Sequence, residues 1–157
     1  MNTQTLDRDF EASKEGFLYA SDFYKWSLKT AELLRQGRFG ELDIENIAEE
    51  IESLGKSEKK ELRNRLAVLI MHLLKWQYQP NKRSKSWEST INVQRVEIKF
   101  VLKDSPSLKH IVETIINEAY EKAIVMFQQE TRFSQIDLPE TCPYTFNQLI
   151  DNNFLPF

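Results

Sequence analysis

The sequence has 157 residues, of which 41% are hydrophobic and 29% are charged, so its length and composition suit one globular domain and exclude a disordered chain. Only four glycines and five prolines occur, which favours long helices over turn-rich β architecture. The single cysteine, Cys142, excludes an internal disulfide framework and is typical of a reducing compartment.

The net charge is only −3, but the charges are unevenly distributed. Residues 1–55 carry 6 basic and 12 acidic side chains, residues 56–103 carry 12 and 4, and residues 104–157 carry 3 and 8. A basic middle can pair with acidic flanks inside one fold, or it can present a surface to an anionic partner. The charge distribution fits both interpretations.

The first 18 residues are predicted to be loosely ordered, ahead of a single helical domain at 19–157. Charged residues such as Asp7, Arg8 and Asp9 stand where a signal peptide would be apolar. We therefore expect no signal peptide or membrane anchor, and a cytoplasmic location. Ser21-Asp22 predicts the start of the first helix, and Gly37 a left-handed cap near its end.

Two further helices are predicted on either side of Gly55. The second begins after Asp43 and ends at Gly55, with a regular apolar face. The third begins after Ser57, spans about 57–79 and ends before Pro80. Because apolar residues nearly encircle its middle turns, we expect it to be the buried central helix. Its apolar run is well short of the roughly 20 residues that a membrane span requires.

Polar residues border the apolar face of this long helix. One interpretation is structural: Arg65 pairs with Glu61 or with a glutamate of the preceding helix, and His72 hydrogen-bonds to a neighbouring helix. The other is catalytic, since Arg65-x6-His72 satisfies the loose Arg-x(4–6)-His pattern of HEPN-type ribonucleases. In those enzymes the pair would contact the scissile phosphate and transfer protons. Leu66 departs from that pattern, because a polar residue usually follows the arginine.

Glu50 and Glu52 lie on opposite borders of the second predicted helix. Paired acids can bind a metal ion, but no companion Glu-x-x-His occurs, and His72 and His110 belong to different predicted helices. We therefore predict no metal and no cofactor. Instead, Glu50 or Glu52 is expected to form a salt bridge with an arginine of the long helix or of the basic connection that follows it.

That connection, residues 81–86, is cationic and is bracketed by Tyr78 and Trp87. Cations beside stacking rings are what a phosphate or single-stranded nucleic-acid contact needs. Alternatively, the connection is a solvated turn in which Ser86 caps the next helix, which runs from Trp87 to Leu102.

Ser105-Pro106 predicts the start of another long helix, which ends before Phe133. Three prolines interrupt residues 134–157, where a short helix is predicted from Pro143 to Ile150. We expect this tail to wrap over the bundle and to dock four apolar residues: Tyr144, Phe146, Leu149 and Phe154.

Several motifs, in this order, resemble the domain-of-unknown-function family 29. They are Asp22-Phe23-Tyr24-Lys25-Trp26, Glu49-Glu50-Ile51-Glu52-Ser53-Leu54-Gly55, His72-Leu73-Leu74-Lys75-Trp76-Gln77-Tyr78-Gln79-Pro80, Arg83-Ser84, Ser86-Trp87, Asp104-Ser105-Pro106-Ser107-Leu108 and Pro139-Glu140-Thr141-Cys142-Pro143-Tyr144. The resemblance covers roughly residues 20–157. It implies an all-helical cytoplasmic bacterial protein, abundant in cyanobacteria, and it implies no activity, because that family has no established function.

The sequence therefore predicts an all-α, single-domain bundle of about five main helices, with the long helix central and the C-terminal tail wrapped around it. The predicted function is a non-catalytic cytoplasmic interaction module that binds a protein or nucleic-acid partner through the basic 75–87 region. The candidate binding residues are Glu50, Glu52, His72, Trp76, Tyr78, Arg83, Lys85 and Trp87. The alternatives are a HEPN-like metal-independent ribonuclease that uses Arg65 and His72, and a small-molecule sensor with a polar pocket between the second and third helices.

Overall fold

A computed structural model describes residues 17–132 and 138–157, and their regular secondary structure is helical, with no strand among them. The predicted all-α class is therefore confirmed. The chain divides into two compact units, residues 1–55 and residues 56–157. Most of the segment predicted to be loosely ordered, residues 1–16, lies outside the described residues, whereas residues 17–21 are helical.

The first unit contains helix α1 (Phe23–Arg35), a 3₁₀ turn (Phe39–Glu41) and the first turns of helix α2. The Asp22 carboxylate accepts a hydrogen bond from the Lys25 amide at 3.0 Å, which confirms the predicted start of α1. Gly37 follows the end of α1 with a φ of +69°, as the predicted left-handed cap requires. Trp26 is buried in this unit, with the Tyr19 ring packed edge-on against it.

Helix α2 (Ile44–Tyr78) is one continuous helix of 35 residues. The prediction of two helices separated at Gly55, with Ser57 as a new cap, was therefore wrong. A glycine inside a helix costs only about 1 kcal/mol, and good helix formers on both sides offset that cost. Asp43 does cap the helix, since its carboxylate accepts from the Asn46 amide at 3.2 Å.

The second unit is built around the C-terminal half of α2. It adds a 3₁₀ turn (Pro80–Lys82), α3 (Lys85–Asp104), a second 3₁₀ turn (Pro106–Ile111), α4 (Val112–Thr131) and α5 (Phe146–Ile150). The buried residues of α2 form the middle of the core, which confirms the central position predicted for this stretch: Leu62, Leu66, Ala67, Leu69, Ile70, Met71, Leu73 and Leu74.

Two predicted helix starts differ in detail. Ser84 rather than Ser86 caps α3, with its hydroxyl accepting from the Trp87 amide at 3.3 Å. Pro106 begins the 3₁₀ turn instead of an α-helix, and regular α geometry starts only at Val112. Ser and Pro mark where a helix can begin, but they do not distinguish an α turn from a 3₁₀ turn.

The described part of the tail, residues 138–157, docks as predicted: Tyr144 and Leu149 are buried, and Phe146 and Phe154 pack against the core. Arg95 of α3, which is fully buried, donates from Nε to the Leu149 carbonyl at 2.9 Å and from Nη2 to the Phe154 carbonyl at 2.7 Å. This one guanidinium therefore binds both α5 and the residues after it.

Cys142 lies in the same tail and is half-buried. Its thiol donates to the Tyr144 carbonyl at a sulfur–oxygen distance of 3.5 Å. Burial raises the pKa of this thiol, because the thiolate is poorly solvated there.

Alanine substitutions at two glycines should have opposite effects on the free energy of unfolding. At Gly55 no described atom lies within 4 Å of the position that a Cβ would take, so we expect Gly55→Ala to stabilise the protein by about 0.5–1 kcal/mol. At Gly37 the positive φ disfavours alanine, and Gly37→Ala should destabilise by about 1 kcal/mol. Urea unfolding followed by circular dichroism measures both. A destabilising Gly55→Ala would contradict the continuous helix.

Replacing Arg95 tests the attachment of the tail. Arg95→Met keeps most of the side-chain volume but leaves buried carbonyls without their charged donor, so we expect a loss of about 3 kcal/mol in unfolding free energy. Lys103→Met, two turns further along α3 and exposed, is the matched control and should change stability by less than about 0.5 kcal/mol. Equal effects of the two substitutions would show that the buried guanidinium is not needed.

Candidate functional site

The basic connection between α2 and α3 is turned back onto the end of α2. Arg83 donates from Nε to the Trp76 carbonyl at 2.8 Å, and its guanidinium carbon lies 5.1 Å from the centre of the Trp76 ring. The carbonyl is one of the last of α2 and has no partner within the helix, so the arginine satisfies an otherwise open acceptor. The guanidinium is thus held in a fixed orientation at the protein surface.

The neighbouring cation, Lys75, points inward instead. Its side chain is only 12% exposed, its Nζ lies 2.9 Å from a carboxylate oxygen of Glu130, and the same nitrogen lies 4.5 Å from the centre of the Trp87 ring. A cation therefore lies close to the ring of each tryptophan in the region. Tyr78 packs edge-on against Phe127 in the core, with ring centres 6.2 Å apart.

Part of the basic middle segment pairs with the acidic C-terminal flank. Glu118 of α4 accepts from Lys59 at 3.2 Å and from Arg63 at 3.3 Å, and the hydrogen bond from Lys59 is the main reason that the pKa of Glu118 is lowered. These side chains are about one-third exposed, so each ion pair contributes at most ~1 kcal/mol to the free energy of unfolding. This supports the structural interpretation of the charge pattern for α2.

The cations of the connection itself behave differently. Lys82, Arg83 and Lys85 are exposed, and none of them forms an ion pair with a carboxylate in the described ranges 17–132 and 138–157. The structure therefore separates the basic 75–87 region into one internal cation, Lys75, and three outward-facing ones.

Arg65 forms the ion pair that the structural interpretation predicted. Its Nε lies 2.8 Å from a carboxylate oxygen of Glu61, and its Nη2 lies 3.8 Å from Glu97 on α3. A phosphate at this guanidinium would also meet the negative charges of these two carboxylates, which disfavours its binding. The ribonuclease interpretation stays a prediction, and nothing in the arrangement of Arg65 favours it.

His72 is half-buried and bonds within its own helix. Its Nδ1 lies 2.9 Å from the Val68 carbonyl, so the predicted bond to a neighbouring helix was wrong; the carbonyl four residues back is simply closer. Because a carbonyl only accepts, Nδ1 must carry the proton. Burial is the main cause that lowers the pKa of this imidazole.

Glu50 lies in the first unit, where one of its carboxylate oxygens accepts from the Tyr19 hydroxyl at 2.6 Å. That bond is the main reason that the pKa of Tyr19 is raised to about 12. Sequence reasoning missed this tyrosine, which belongs to residues 17–21; the salt bridge from Glu50 or Glu52 to an arginine stays a prediction. Glu52 is exposed on α2. The polar pocket predicted between a second and a third helix has no counterpart, since those helices are one.

In residues 17–132 and 138–157, no group of three or more His, Cys, Asp or Glu side chains is arranged to hold a metal ion. No helix in the same described ranges is both long and apolar enough to cross a bilayer.

The residues that sequence reasoning missed line a cavity at the other end of α3. Lys99 and Lys103, one turn apart, line a cavity of about 550 Å³ whose other walls come from the second 3₁₀ turn and α5. The i, i+4 lysine pair before Pro106 was the only visible signal. The opposite wall comes from residues more than 40 positions later, which no local pattern could bring together.

In a comparison with family models, the family described as "Domain of unknown function DUF29" matches residues 18–155 of this chain. No curated protein and no solved structure matches the sequence.

The lowered pKa of His72 makes stability depend on pH. Because the unfolded chain takes up this proton more readily than the folded one, the folded state should lose stability as the pH falls through the ordinary value of 6.5 toward the lower folded-state pKa. We expect His72→Gln to reduce this loss, measured by urea unfolding between about pH 7 and pH 5. Unfolding at about pH 8, where the imidazole is neutral in both states, gives the packing cost of the substitution alone. A His72 pKa at or above 6.5 by NMR titration would contradict the prediction.

Proposed function

The chain belongs to the DUF29 family, and we propose that it is a non-catalytic interaction module that contacts its partner through the outward-facing cations Lys82, Arg83 and Lys85. We also propose that this binding takes place in the bacterial cytoplasm. The single cysteine, which is typical of a reducing compartment, supports this location.

The orientation of Arg83 is the observation that carries the proposal. Trp76 holds the guanidinium through its carbonyl and its ring, and uses only Nε. The two terminal nitrogens form no hydrogen bond with any residue in the described part of the chain. Two parallel N–H donors in a planar fork match the two oxygens of a carboxylate or phosphate. Since the orientation already exists in the free protein, binding loses less side-chain entropy.

We infer that the partner is an acidic protein segment rather than a nucleic acid. Stacking on bases needs open ring faces, whereas Trp76 and Trp87 each have a cation of this chain close to the ring. The chain is also acidic overall, with a net charge of −3 and a pI near 5.5, which disfavours long-range attraction of a polyanion. A short carboxylate-bearing segment needs only the local cations.

The test is binding of a fluorescein-labelled glutamate-rich peptide, measured by anisotropy over a salt series. We expect Arg83→Ala to weaken binding about tenfold, because a charged hydrogen bond contributes roughly 1.5 kcal/mol. Arg83→Lys, which keeps the charge but loses the planar fork, should recover only part of this loss. Lys60→Ala, an exposed lysine of α2, is the control for a general loss of charge.

The same protein is titrated with labelled single-stranded RNA and duplex DNA, followed by a gel for cleavage. Salt-sensitive binding of RNA or DNA but not of the peptide would replace the protein partner with a nucleic acid. Cleavage that His72→Ala abolishes in a folded variant would overturn the non-catalytic proposal. If Arg83→Ala and Lys60→Ala weakened peptide binding equally, the peptide would be bound by unspecific charge attraction and not by the Arg83 guanidinium.

A further inference from the structure

We propose that the cavity at the C-terminal end of α3 binds a small amphipathic carboxylate, that is, an apolar chain with one anionic head. This site is independent of the proposed function, because the outward-facing cations of the basic connection lie at the opposite, N-terminal end of the same helix. At 1.5 Å per residue, the 20 residues of α3 span about 30 Å.

The cavity has the size and lining of a small-molecule site. Its volume is about 550 Å³, within the range of roughly 300–1,000 Å³ that is usual for ligand pockets. Leu102, Phe146 and Ile150 supply apolar surface, and three lysines supply the polar groups: Lys99, Lys103 and Lys109. Burial of an alkyl chain against such a surface is favourable, and the cations select for a negative head group.

The wall opposite α3 is held in place by the buried arginine. Arg95 bonds to the carbonyls of Gln148 and Leu149 at 3.4 and 2.9 Å, within the helix that carries Phe146 and Ile150. Lys99 adds a bond from its Nζ to the Asn152 side chain at 3.0 Å, just beyond that helix. The cavity therefore has a fixed geometry instead of being a gap at a loose terminus.

The cations at its rim are available to a ligand. Lys103 and Lys109 are exposed, and neither is ion-paired with a carboxylate in the described residues. Together with Lys99, they put three positive charges around one apolar cavity, in a protein whose net charge is negative. A single carboxylate head beside an alkyl chain satisfies both features.

The experiment is titration of the full chain with decanoate below its micelle concentration, followed by ¹⁵N–¹H NMR and calorimetry. We expect saturable binding of one decanoate, with shift changes centred on residues 99–109 and 146–150. Affinity should rise about two- to fourfold per methylene from hexanoate to decanoate, because each CH₂ adds buried apolar area. Decan-1-ol, which has the chain without the charge, should bind at least about tenfold more weakly.

The variant Lys103→Gln/Lys109→Gln should weaken decanoate binding about tenfold without unfolding the protein, since both side chains are exposed. Lys25→Gln/Lys60→Gln removes the same charge at two exposed positions outside both proposed sites and should leave decanoate binding unchanged. The proposal is overturned if decanoate does not saturate, if shifts map to other residues, or if decanol binds equally. Binding to vesicles of anionic phospholipid, with no saturable binding of free decanoate, would also overturn it and would assign these lysines to a membrane surface.

Discussion

The second unit depends on a single buried cation. Arg95 is fully buried and has no ion-paired carboxylate in the described chain; its partners are backbone carbonyls of Gln148, Leu149 and Phe154. Two of these are last-turn carbonyls of α5, which a helix cannot satisfy by itself. A helix of five residues is far too short to form alone, so its order must come from such tertiary contacts. Burial lowers the pKa of the guanidinium, which still remains charged because its ordinary value is so high.

Elements whose signals are local were predictable from the sequence. The apolar face of the long helix, the aspartate and proline signals at helix ends, and the apolar tail residues all depend on neighbours a few positions away. Gly55 shows where this reasoning fails. Glycine is common both after helices and, at a modest cost, inside them, and only the backbone φ distinguishes the two situations. Gly37 has the positive φ of a cap, and Gly55 does not.

Partners of the candidate site residues were mostly not predictable. Lys75 meets Glu130, and Tyr144 donates to Gln77, across 55 and 67 positions of sequence. A charge count predicted that basic and acidic segments attract, but not which cations would remain outside. The predicted ion pair between Arg65 and Glu61 was correct, because these residues are i, i+4 neighbours on one helix, where the helix geometry brings their side chains together. The partner predicted for His72 was wrong, because its imidazole bonds to a backbone carbonyl of its own helix.

The lone thiol of the tail gives this protein a built-in reporter. Cys142 is the only cysteine of the chain, and its partial burial raises the pKa of the thiol and so disfavours the reactive thiolate. Detachment of the tail from the core removes that burial, so the rate of reaction with a disulfide reagent rises with the frequency of such openings. Opening of the tail can thus be measured in the unmodified protein by a colour reaction of the thiol. Any ligand that holds the tail against α3 will slow that reaction.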